Sequence, residues 1–187
     1  MSVKKSRGFE IKMSPAEAVV TAVLFLLIIG VWTYPIGNSE GASVGDIPYD
    51  GPYEVVKIVD GDTVKLLIDG EVTTVRLIGI DTPESVHPTK EKNVPEGKLA
   101  SEHTKELIED KFVYVEYDKE PTDRYGRTLA YLYLDEDTMV NAQILEDGYA
   151  QVMTIAPNNK YADYFQELEN EAKSSNAGLW STGVFDD

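Results

Sequence analysis

The sequence predicts an α+β fold in which a small β-barrel of about five strands packs against about three helices and follows one N-terminal transmembrane helix. Three features of the chain support this prediction. Short runs rich in β-branched residues end at Asp-Gly pairs, longer runs place apolar residues at helical spacing, and one apolar stretch near the N-terminus has no charge. Runs of these two kinds, in this order, are typical of strands and helices that share one core.

The first 34 residues differ in kind from the rest of the chain. Residues 1–15 carry four basic side chains, and no charged residue occurs between Glu17 and Glu40. As a helix, residues 16–34 would cover roughly 28 Å, close to a hydrocarbon core of about 30 Å. Trp32 falls where an interfacial aromatic residue is expected. We therefore expect a basic cytoplasmic N-terminus and a transmembrane anchor over residues 16–34, through which the protein contacts the membrane.

The charge of the N-terminus predicts the orientation of this anchor. Basic residues that flank a membrane helix stay on the cytoplasmic side, so the rest of the chain is expected outside the cytoplasm. A cleavable signal peptide is the alternative, because the small residues Gly37 and Ser39 offer a cleavage site, and the domain would then be secreted. We favour the uncleaved anchor, since the apolar run is longer than that of most signal peptides.

Composition divides the remaining chain. Residues 35–52 are rich in Gly, Pro and Ser and predict a flexible linker. Residues 53–181 are expected to form the folded domain, and residues 182–187 an acidic tail. The chain has no cysteine, so its stability and any metal site must do without disulfides and thiolates.

Three strand-like runs open the folded domain. They span Tyr53–Val59, Thr63–Ile68 and Val72–Ile80. The connections contain Asp60-Gly61 and Asp69-Gly70, and Asp-Gly between apolar runs is a strong hairpin signal. The sequence therefore predicts an antiparallel three-stranded meander.

The second half of the domain mixes helices and strands. Spacing and turn signals predict helices over Glu96–Glu109, Val140–Glu146 and Asn159–Lys173, strands over Phe112–Tyr117 and Leu129–Leu134, and a loop over Pro121–Arg127. A compact barrel of about five strands fits this order. An OB-type barrel is one such architecture, although the pattern alone does not select it.

The overall charge is unfavourable for a protein that binds nucleic acid. The chain has 17 Lys+Arg and 33 Asp+Glu, and without the first forty residues 13 basic and 30 acidic side chains remain, a net charge of −17. Such a surface repels a polyanion, whose binding normally gains from the neutralisation of its phosphates. A nuclease with this composition needs a local cationic site and a bound metal.

Four carboxylates are expected at one end of the meander. Asp60 and Asp62 lie where the first strand ends and the second begins, and Asp81 and Glu84 follow the third strand. In an antiparallel sheet the start of one strand lies beside the end of the next, so these side chains can converge. Oxygen ligands of this kind suit Ca²⁺, and no histidine cluster favours zinc. Taken singly, an aspartate beside a glycine more often only forms a turn.

The arginines of the folded domain are few, and their positions are informative. They are Arg76, Arg124 and Arg127. Arg76 lies in an otherwise apolar strand, near the end where the carboxylates gather, and Arg127 follows a Tyr-Gly turn. A surface role is the simple explanation for each. Two guanidinium groups around a phosphodiester would, however, bind its oxygens and stabilise the charge that develops in the transition state.

An ordered set of motifs then resembles the staphylococcal nuclease (thermonuclease) family. The resemblance covers residues 53–181 and rests on Ile58–Lys65, Arg76–Glu84, Thr122–Tyr131, Met139–Asn141, Pro157–Asn159 and Gly178–Ser181. It implies an OB-fold barrel with three helices and a monomeric catalytic domain without an obligate protein partner. It also implies calcium-dependent cleavage of DNA or RNA that leaves a 3′-phosphate and a 5′-hydroxyl.

The resemblance also implies roles for individual residues. Asp62, Asp81 and the backbone carbonyl of Thr82 match the positions that bind Ca²⁺. The positions that grip the scissile phosphate match Arg76 and Arg127, and the residue that activates or orients the attacking water matches Glu84. Arg124 and Tyr125 match positions that contact a neighbouring phosphate.

One departure from the family concerns the nucleotide base. Met153 and Ile155 stand where the best-known member has two tyrosines that help to hold the nucleotide, so base stacking is expected to be weaker or supplied differently. Two other functions remain as alternatives, namely a catalytically inactive OB-fold module that binds nucleic acid or protein, and a structural calcium-binding domain. The complete set of carboxylates and arginines favours the enzyme.

Overall fold

The computed structural model describes residues 48–85 and 94–186. It contains seven strands, which are β1 Asp50–Asp60, β2 Thr63–Ile68, β3 Glu71–Leu77, β4 Gly79–Asp81, β5 Phe112–Glu116, β6 Thr128–Tyr133 and β7 Gln151–Met153. Its helices are α1 Pro95–Ile108, α2 Val140–Glu146 and α3 Ala162–Ser175, followed by a 3₁₀ helix over Gly178–Thr182. The predicted anchor over residues 16–34 lies outside the described residues. Within them, no helix has the length and apolar character that crossing a bilayer requires.

Five of the strands close into a barrel in the order β1-β2-β3-β6-β5. Strands β1, β2 and β3 form the predicted antiparallel meander, β5 pairs antiparallel with both β1 and β6, and β3 pairs with β6 in parallel. Closure leaves the barrel with no free sheet edge. The prediction of a five-stranded barrel with three helices is therefore confirmed.

Alternation along the strands separates the core from the outer face. Val64 and Leu66 of β2 and Val75 of β3 are completely buried, and each such side chain contributes about 1.5–3 kcal/mol through burial. The intervening residues of β2 and β3 point outward. Two residues on this outer face, Thr63 and Arg76, are directly opposite each other, which places Arg76 beside the start of β2.

The third predicted strand is broken. The prediction ran continuously from Val72 to Ile80, whereas β3 ends at Leu77 and β4 pairs with β7, outside the barrel. At the break Gly79 has φ +83°, and a Cβ there would lie 2.6 Å from the Phe165 ring, so glycine is required. Asn141 holds the break in place, because its Nδ2 donates to Ile78 O at 2.9 Å.

Strand β7 was not predicted. It has only three residues, and its sequence offers no alternation to detect. Two boundaries differ from the prediction by three residues, since β1 begins at Asp50 instead of Tyr53 and α3 begins at Ala162 instead of Asn159. Apart from the broken third strand, the other predicted boundaries differ by at most two residues. The early start of β1 arises from its pairing with β5, where Asp50 lies opposite Val115.

Candidate active site

Asp62 lies at the end of the barrel where the carboxylates were predicted to gather. Asp62 is 7% exposed, and its carboxylate accepts hydrogen bonds from the backbone N–H of Thr82 at 2.9 Å, the hydroxyl of Thr82 at 3.1 Å and the hydroxyl of Thr63 at 3.0 Å. Because Thr82 follows β4 directly, these bonds tie the start of β2 to the end of β4. Of the four carboxylates predicted to converge, Asp62 and Asp81 come together, since both contact Arg76 Nη2.

Arg76 joins the two carboxylates. Its Nη2 lies 2.9 Å from Asp81 Oδ1 and 3.1 Å from Asp62 Oδ2, and its Nη1 donates to the carbonyls of Leu77 at 2.8 Å and Ile80 at 2.7 Å. Arg76 is 8% exposed, so the simple explanation of a surface arginine is wrong. A buried guanidinium whose Nη1 and Nη2 atoms contact two carbonyls and two carboxylates is held in one orientation.

The pKa of Asp81 reflects this crowding. Burial of the carboxyl group raises its pKa above the usual value, the charge of Arg76 opposes that shift, and the nearby charge of Asp62 adds to it. A hydrogen bond with Gln151 of β7 also favours the ionised form. Two close carboxylates disfavour each other's ionisation, and a nearby cation relieves this cost.

The donor set fits a hard cation. Asp62 and Asp81 direct oxygens at the same nitrogen of Arg76, so both face one small region, and the Thr82 backbone is fixed against Asp62. Two carboxylates and a carbonyl are ligands that calcium accepts, with water or substrate oxygens in the other positions. Over residues 48–85 and 94–186, no three His, Asp or Glu side chains are arranged as a metal site on their own. The protein therefore offers a partial, oxygen-only set of ligands.

Asp60 does not share this arrangement. Its carboxylate accepts from the hydroxyls of Ser85 at 2.7 Å and Ser101 at 3.0 Å and from the backbone N–H of Gly61 at 3.0 Å. Ser85 follows Glu84, and Ser101 lies on α1. Asp60 therefore links the segment after β4 to α1 and has a structural role.

Glu84 lies on the exposed segment three residues after Asp81. Its backbone carbonyl accepts from the N–H of Val94 at 3.0 Å. A Cβ at Gly97 would lie 2.3 Å from that carbonyl oxygen, so the first turn of α1 packs directly against the backbone of Glu84. The main chain at Glu84 is therefore fixed, while its side chain lies at the surface.

Asp123 shapes the loop that carries the other arginines. Its Oδ1 accepts from the backbone N–H groups of Tyr125 and Arg127, each at 2.9 Å, and its Oδ2 accepts from Arg127 Nε at 2.7 Å. Burial alone would raise the pKa of Asp123, but the hydrogen bonds from Arg127 and Tyr125 outweigh it and lower the pKa. One carboxylate thus sets both the turn and the direction of Arg127.

Tyr125 is flanked by two guanidinium groups. The Cζ of Arg124 lies 4.8 Å and that of Arg127 5.6 Å from the ring centroid, within the range of cation–π attraction. The ring is 70% exposed. The three side chains form a cationic and aromatic surface at the tip of the loop.

A cleft of about 460 Å³ connects this loop to the barrel. Arg76, Arg124, Tyr125 and Arg127 line it, together with apolar residues of β3, β6 and β7. Asp62, Asp81, Thr82 and Glu84 are not part of its lining. Arg76 belongs to both regions, because it faces the cleft and bonds to Asp62 and Asp81.

Residues 74–182 match the family model described as "Staphylococcal nuclease homologue". The chain belongs to the staphylococcal nuclease family.

The chain is also similar in sequence to several curated proteins. It is similar to "Thermonuclease" of Staphylococcus intermedius, with 39% identity over 88% of this chain and 98% of the relative, and to "Thermonuclease" of Staphylococcus hyicus, with 34% identity over 91% and 98%. It is also similar to "Endonuclease YncB" of Bacillus subtilis (strain 168), with 40% identity over 67% of this chain and 59% of the relative. The two thermonucleases match over nearly their whole length.

Two residues of this staphylococcal nuclease domain, Asp123 and Asn158, hold the site in position although the sequence analysis assigned them no role. Asp123 had a detectable signal, namely its spacing of four from Arg127 in a turn-rich loop. Asn158 is 4% exposed and lines the cleft. Its Nδ2 donates to Glu120 O at 2.7 Å and its Oδ1 accepts from Glu120 N at 2.8 Å. Asn158 thereby ties the segment after β7 to Glu120, which directly precedes the loop over Pro121–Arg127. No local pattern indicates this contact between residues 38 positions apart.

Proposed function

We propose that the protein is a calcium-dependent nuclease that hydrolyses phosphodiester bonds of DNA, RNA or both, and leaves 3′-phosphate and 5′-hydroxyl ends. The observation that carries the proposal is the position of Arg76, which bonds to Asp62 and Asp81 while it lines a cleft with Arg127. A phosphate held by both guanidinium groups would lie directly beside the carboxylates. Relatives with the names thermonuclease and endonuclease support the nuclease part of the proposal.

The two arginines would bind and polarise the scissile phosphate. A guanidinium group donates two parallel hydrogen bonds to phosphate oxygens, and these bonds strengthen as negative charge grows on the phosphoryl group. Arg76 is held rigidly by four acceptors, and Arg127 by Asp123. Preorganised donors of this kind lose little freedom during the reaction.

Asp62, Asp81 and the carbonyl of Thr82 would hold the calcium ion. When bound, calcium supplies Lewis-acid polarisation of a phosphate oxygen and neutralises part of its charge. The protein body has 30 acidic and 13 basic side chains after residue 40, so it attracts divalent cations more readily than polyanions.

Glu84 would serve as the general base. An exposed carboxylate on a backbone fixed by α1 can take a proton from a water molecule that attacks phosphorus, as the bond between phosphorus and the 5′-oxygen breaks. The leaving 5′-oxygen gains a proton and becomes the 5′-hydroxyl, and the phosphate stays on the 3′ side. The loop residues Arg124 and Tyr125 would contact the neighbouring phosphate of the same strand.

We further propose that the enzyme acts outside the cytoplasm. The uncharged run over residues 16–34 and the basic residues before it support a membrane anchor, with secretion after cleavage as the alternative. Separation of cells into membrane, cytoplasmic and medium fractions, followed by detection of a C-terminal tag, distinguishes the two. Protein found in the cytoplasmic fraction alone would exclude both.

The catalytic proposal is tested with the full chain in mild detergent. Single-stranded DNA and RNA oligonucleotides are incubated with Ca²⁺, with Mg²⁺ or with excess chelator, at low and high salt because screening helps an acidic protein to approach a polyanion. We expect cleavage with Ca²⁺ only. Folded protein that binds the oligonucleotide and never cuts it would instead identify an inactive binding module.

A further inference from the structure

Two lysines face each other on the outer surface of the barrel. Lys57 of β1 lies directly opposite Lys65 of β2, and Lys65 lies opposite Thr74 of β3. Paired residues of this kind have Cβ atoms about 4.5–5.5 Å apart. Lys57, Lys65 and Thr74 thus form a row across three strands, called here the lysine row. It presents two ammonium groups and a hydroxyl group side by side, with no carboxylate between them.

These two lysines also differ from the other basic residues of the structure. Residues 48–85 and 94–186 contain eleven lysines and arginines. Nine of them contact a carboxylate, a carbonyl or amide oxygen, or an aromatic ring. Within the described ranges, Lys57 and Lys65 make no such contact. In a domain with more than twice as many acidic as basic side chains, the two unpaired cations are cross-strand neighbours.

The row lies beside the candidate active site. Lys65 follows Thr63 by two positions on the same outward face, and Thr63 lies opposite Arg76. One strand across and two residues along correspond to a Cα–Cα separation of about 8 Å between Arg76 and Lys65. The cleft extends from Arg76 toward β6 and β7, so the lysine row lies on the other side of Arg76. The barrel surface thus presents, in order, the cleft, Arg76, Lys65 and Lys57.

Like charges placed directly opposite each other destabilise a sheet. An anion that binds between them removes this repulsion and receives hydrogen bonds from both groups. Among anions, the phosphate of a strand already held at Arg76 has the right position, because a stacked strand advances about 3.4 Å along its axis per nucleotide. The row is then roughly two nucleotides from the scissile phosphate.

We propose that Lys57 and Lys65 form a second phosphate site, which binds the backbone of a single-stranded polynucleotide beyond the scissile position. The inference rests on the proposed function, because it takes the polynucleotide as the ligand. It explains how an acidic domain holds a polyanion with few cations. The site makes affinity depend on chain length, since a dinucleotide that fills the cleft does not reach the lysine row.

The test compares two double variants of the full chain. Lys57→Gln/Lys65→Gln removes the row, and Lys105→Gln/Lys173→Gln removes the same charge from α1 and α3 as a control. Binding of a labelled single-stranded 12-mer and of a dinucleotide is measured by fluorescence anisotropy, with chelator present so that no cleavage occurs. The salt dependence of each dissociation constant is recorded as well.

For the row variant, we expect the dissociation constant of the 12-mer to rise about five- to twenty-fold and its salt slope to fall by about 0.7–1.4, the value for one or two phosphates on a single strand. The dinucleotide should bind as before, and the control variant should match the wild type. Equal 12-mer affinity in the row and control variants would overturn the inference, as would absence of 12-mer binding by the wild type. Binding that depends on the row, without cleavage by the wild type, would refute the proposed function alone.

Discussion

The Nη2 atom of Arg76 lies 2.9 Å from Asp81 Oδ1, on a side chain that is 9% exposed. The same nitrogen contacts Asp62 at 3.1 Å. One buried guanidinium group therefore neutralises the carboxylate pair, supports the turn after β3 and faces the cleft. Stability and the proposed catalysis therefore depend on the same side chain.

Arg76→Lys should lower both activity and stability. A single ammonium group cannot reach the four acceptors that Arg76 bonds, so kcat should fall at least about 100-fold and the free energy of unfolding by about 1–3 kcal/mol. Steady-state kinetics and urea unfolding measure the two. The matched control is Arg124→Lys, because within residues 48–85 and 94–186 Arg124 contacts only the exposed Tyr125 ring. Equal stability of the two variants would contradict the account of Arg76.

Glu84→Gln should separate catalysis from stability. Without a proton acceptor kcat should fall by about 10²–10⁴, while the free energy of unfolding should stay within about 0.5 kcal/mol because the side chain is exposed. The substrate dissociation constant should change little. A variant that keeps more than a tenth of wild-type kcat would exclude Glu84 as the general base.

Asp123→Asn should disturb the loop in a pH-dependent manner. Because hydrogen bonds lower the pKa of Asp123 in the folded protein, its stabilising contribution is present above its unfolded pKa of about 3.9 and is lost as pH falls through the folded pKa. The difference in unfolding free energy between wild type and variant should therefore be largest near neutral pH and disappear near pH 2. KM should rise roughly ten-fold.

Asp135→Asn is the control for this variant. The pKa of Asp135 is also lowered, mainly by hydrogen bonds from Thr138 and the backbone N–H of Asp137, and Asp135 does not line the cleft. Its substitution should leave KM unchanged. If both variants raise KM equally, the effect of Asp123 does not arise from the position of Arg127.

Calcium should stabilise the protein independently of any substrate. A ligand that binds only the folded state at 100 times its dissociation constant adds about 2.7 kcal/mol to the free energy of unfolding. Urea unfolding with Ca²⁺ and with chelator measures this shift. Asp81→Asn should remove most of it, whereas Asp163→Asn, on the exposed first turn of α3, should retain it. An equal shift in both variants would place the calcium site elsewhere.

Ile155→Tyr should strengthen substrate binding. Ile155 is 62% exposed at the cleft, and an aromatic side chain there would offer a base a stacking surface, an interaction of about 1–3 kcal/mol per base. We expect KM to fall about five-fold or more while kcat stays constant. Ile155→Leu is the matched control, and unchanged KM in both variants would show that the base does not reach this position.

The fold was largely predictable because its strands alternate regularly. The Asp-Gly pairs fixed the β1–β2–β3 meander, and the register that followed brought Asp62 and Asp81 to one end. The break at Ile78 and the pairing of β4 with β7 escaped prediction. They depend on Asn141 and Phe165, which lie far along the chain and exert no local effect on the pattern.

The sequence indicated which residues form the candidate site, but not how their side chains contact one another. The resemblance indicated the carboxylates and arginines by position. Tertiary packing determines the contacts. It buries Arg76 against two carbonyls, places Asp60 beside Ser85 and Ser101, and joins Asn158 to Glu120. Side chains that act between distant segments leave no periodic signal in the sequence.

The central claim is calcium-dependent hydrolysis at a site built around Arg76. The most direct measurement incubates the full chain with an end-labelled single-stranded oligonucleotide, with Ca²⁺ and with chelator, and determines the chemical ends of every product. The account predicts cleavage only with Ca²⁺, with a 3′-phosphate on one fragment and a 5′-hydroxyl on the other. Cleavage that persists in chelator, or products with 3′-hydroxyl and 5′-phosphate ends, would contradict it.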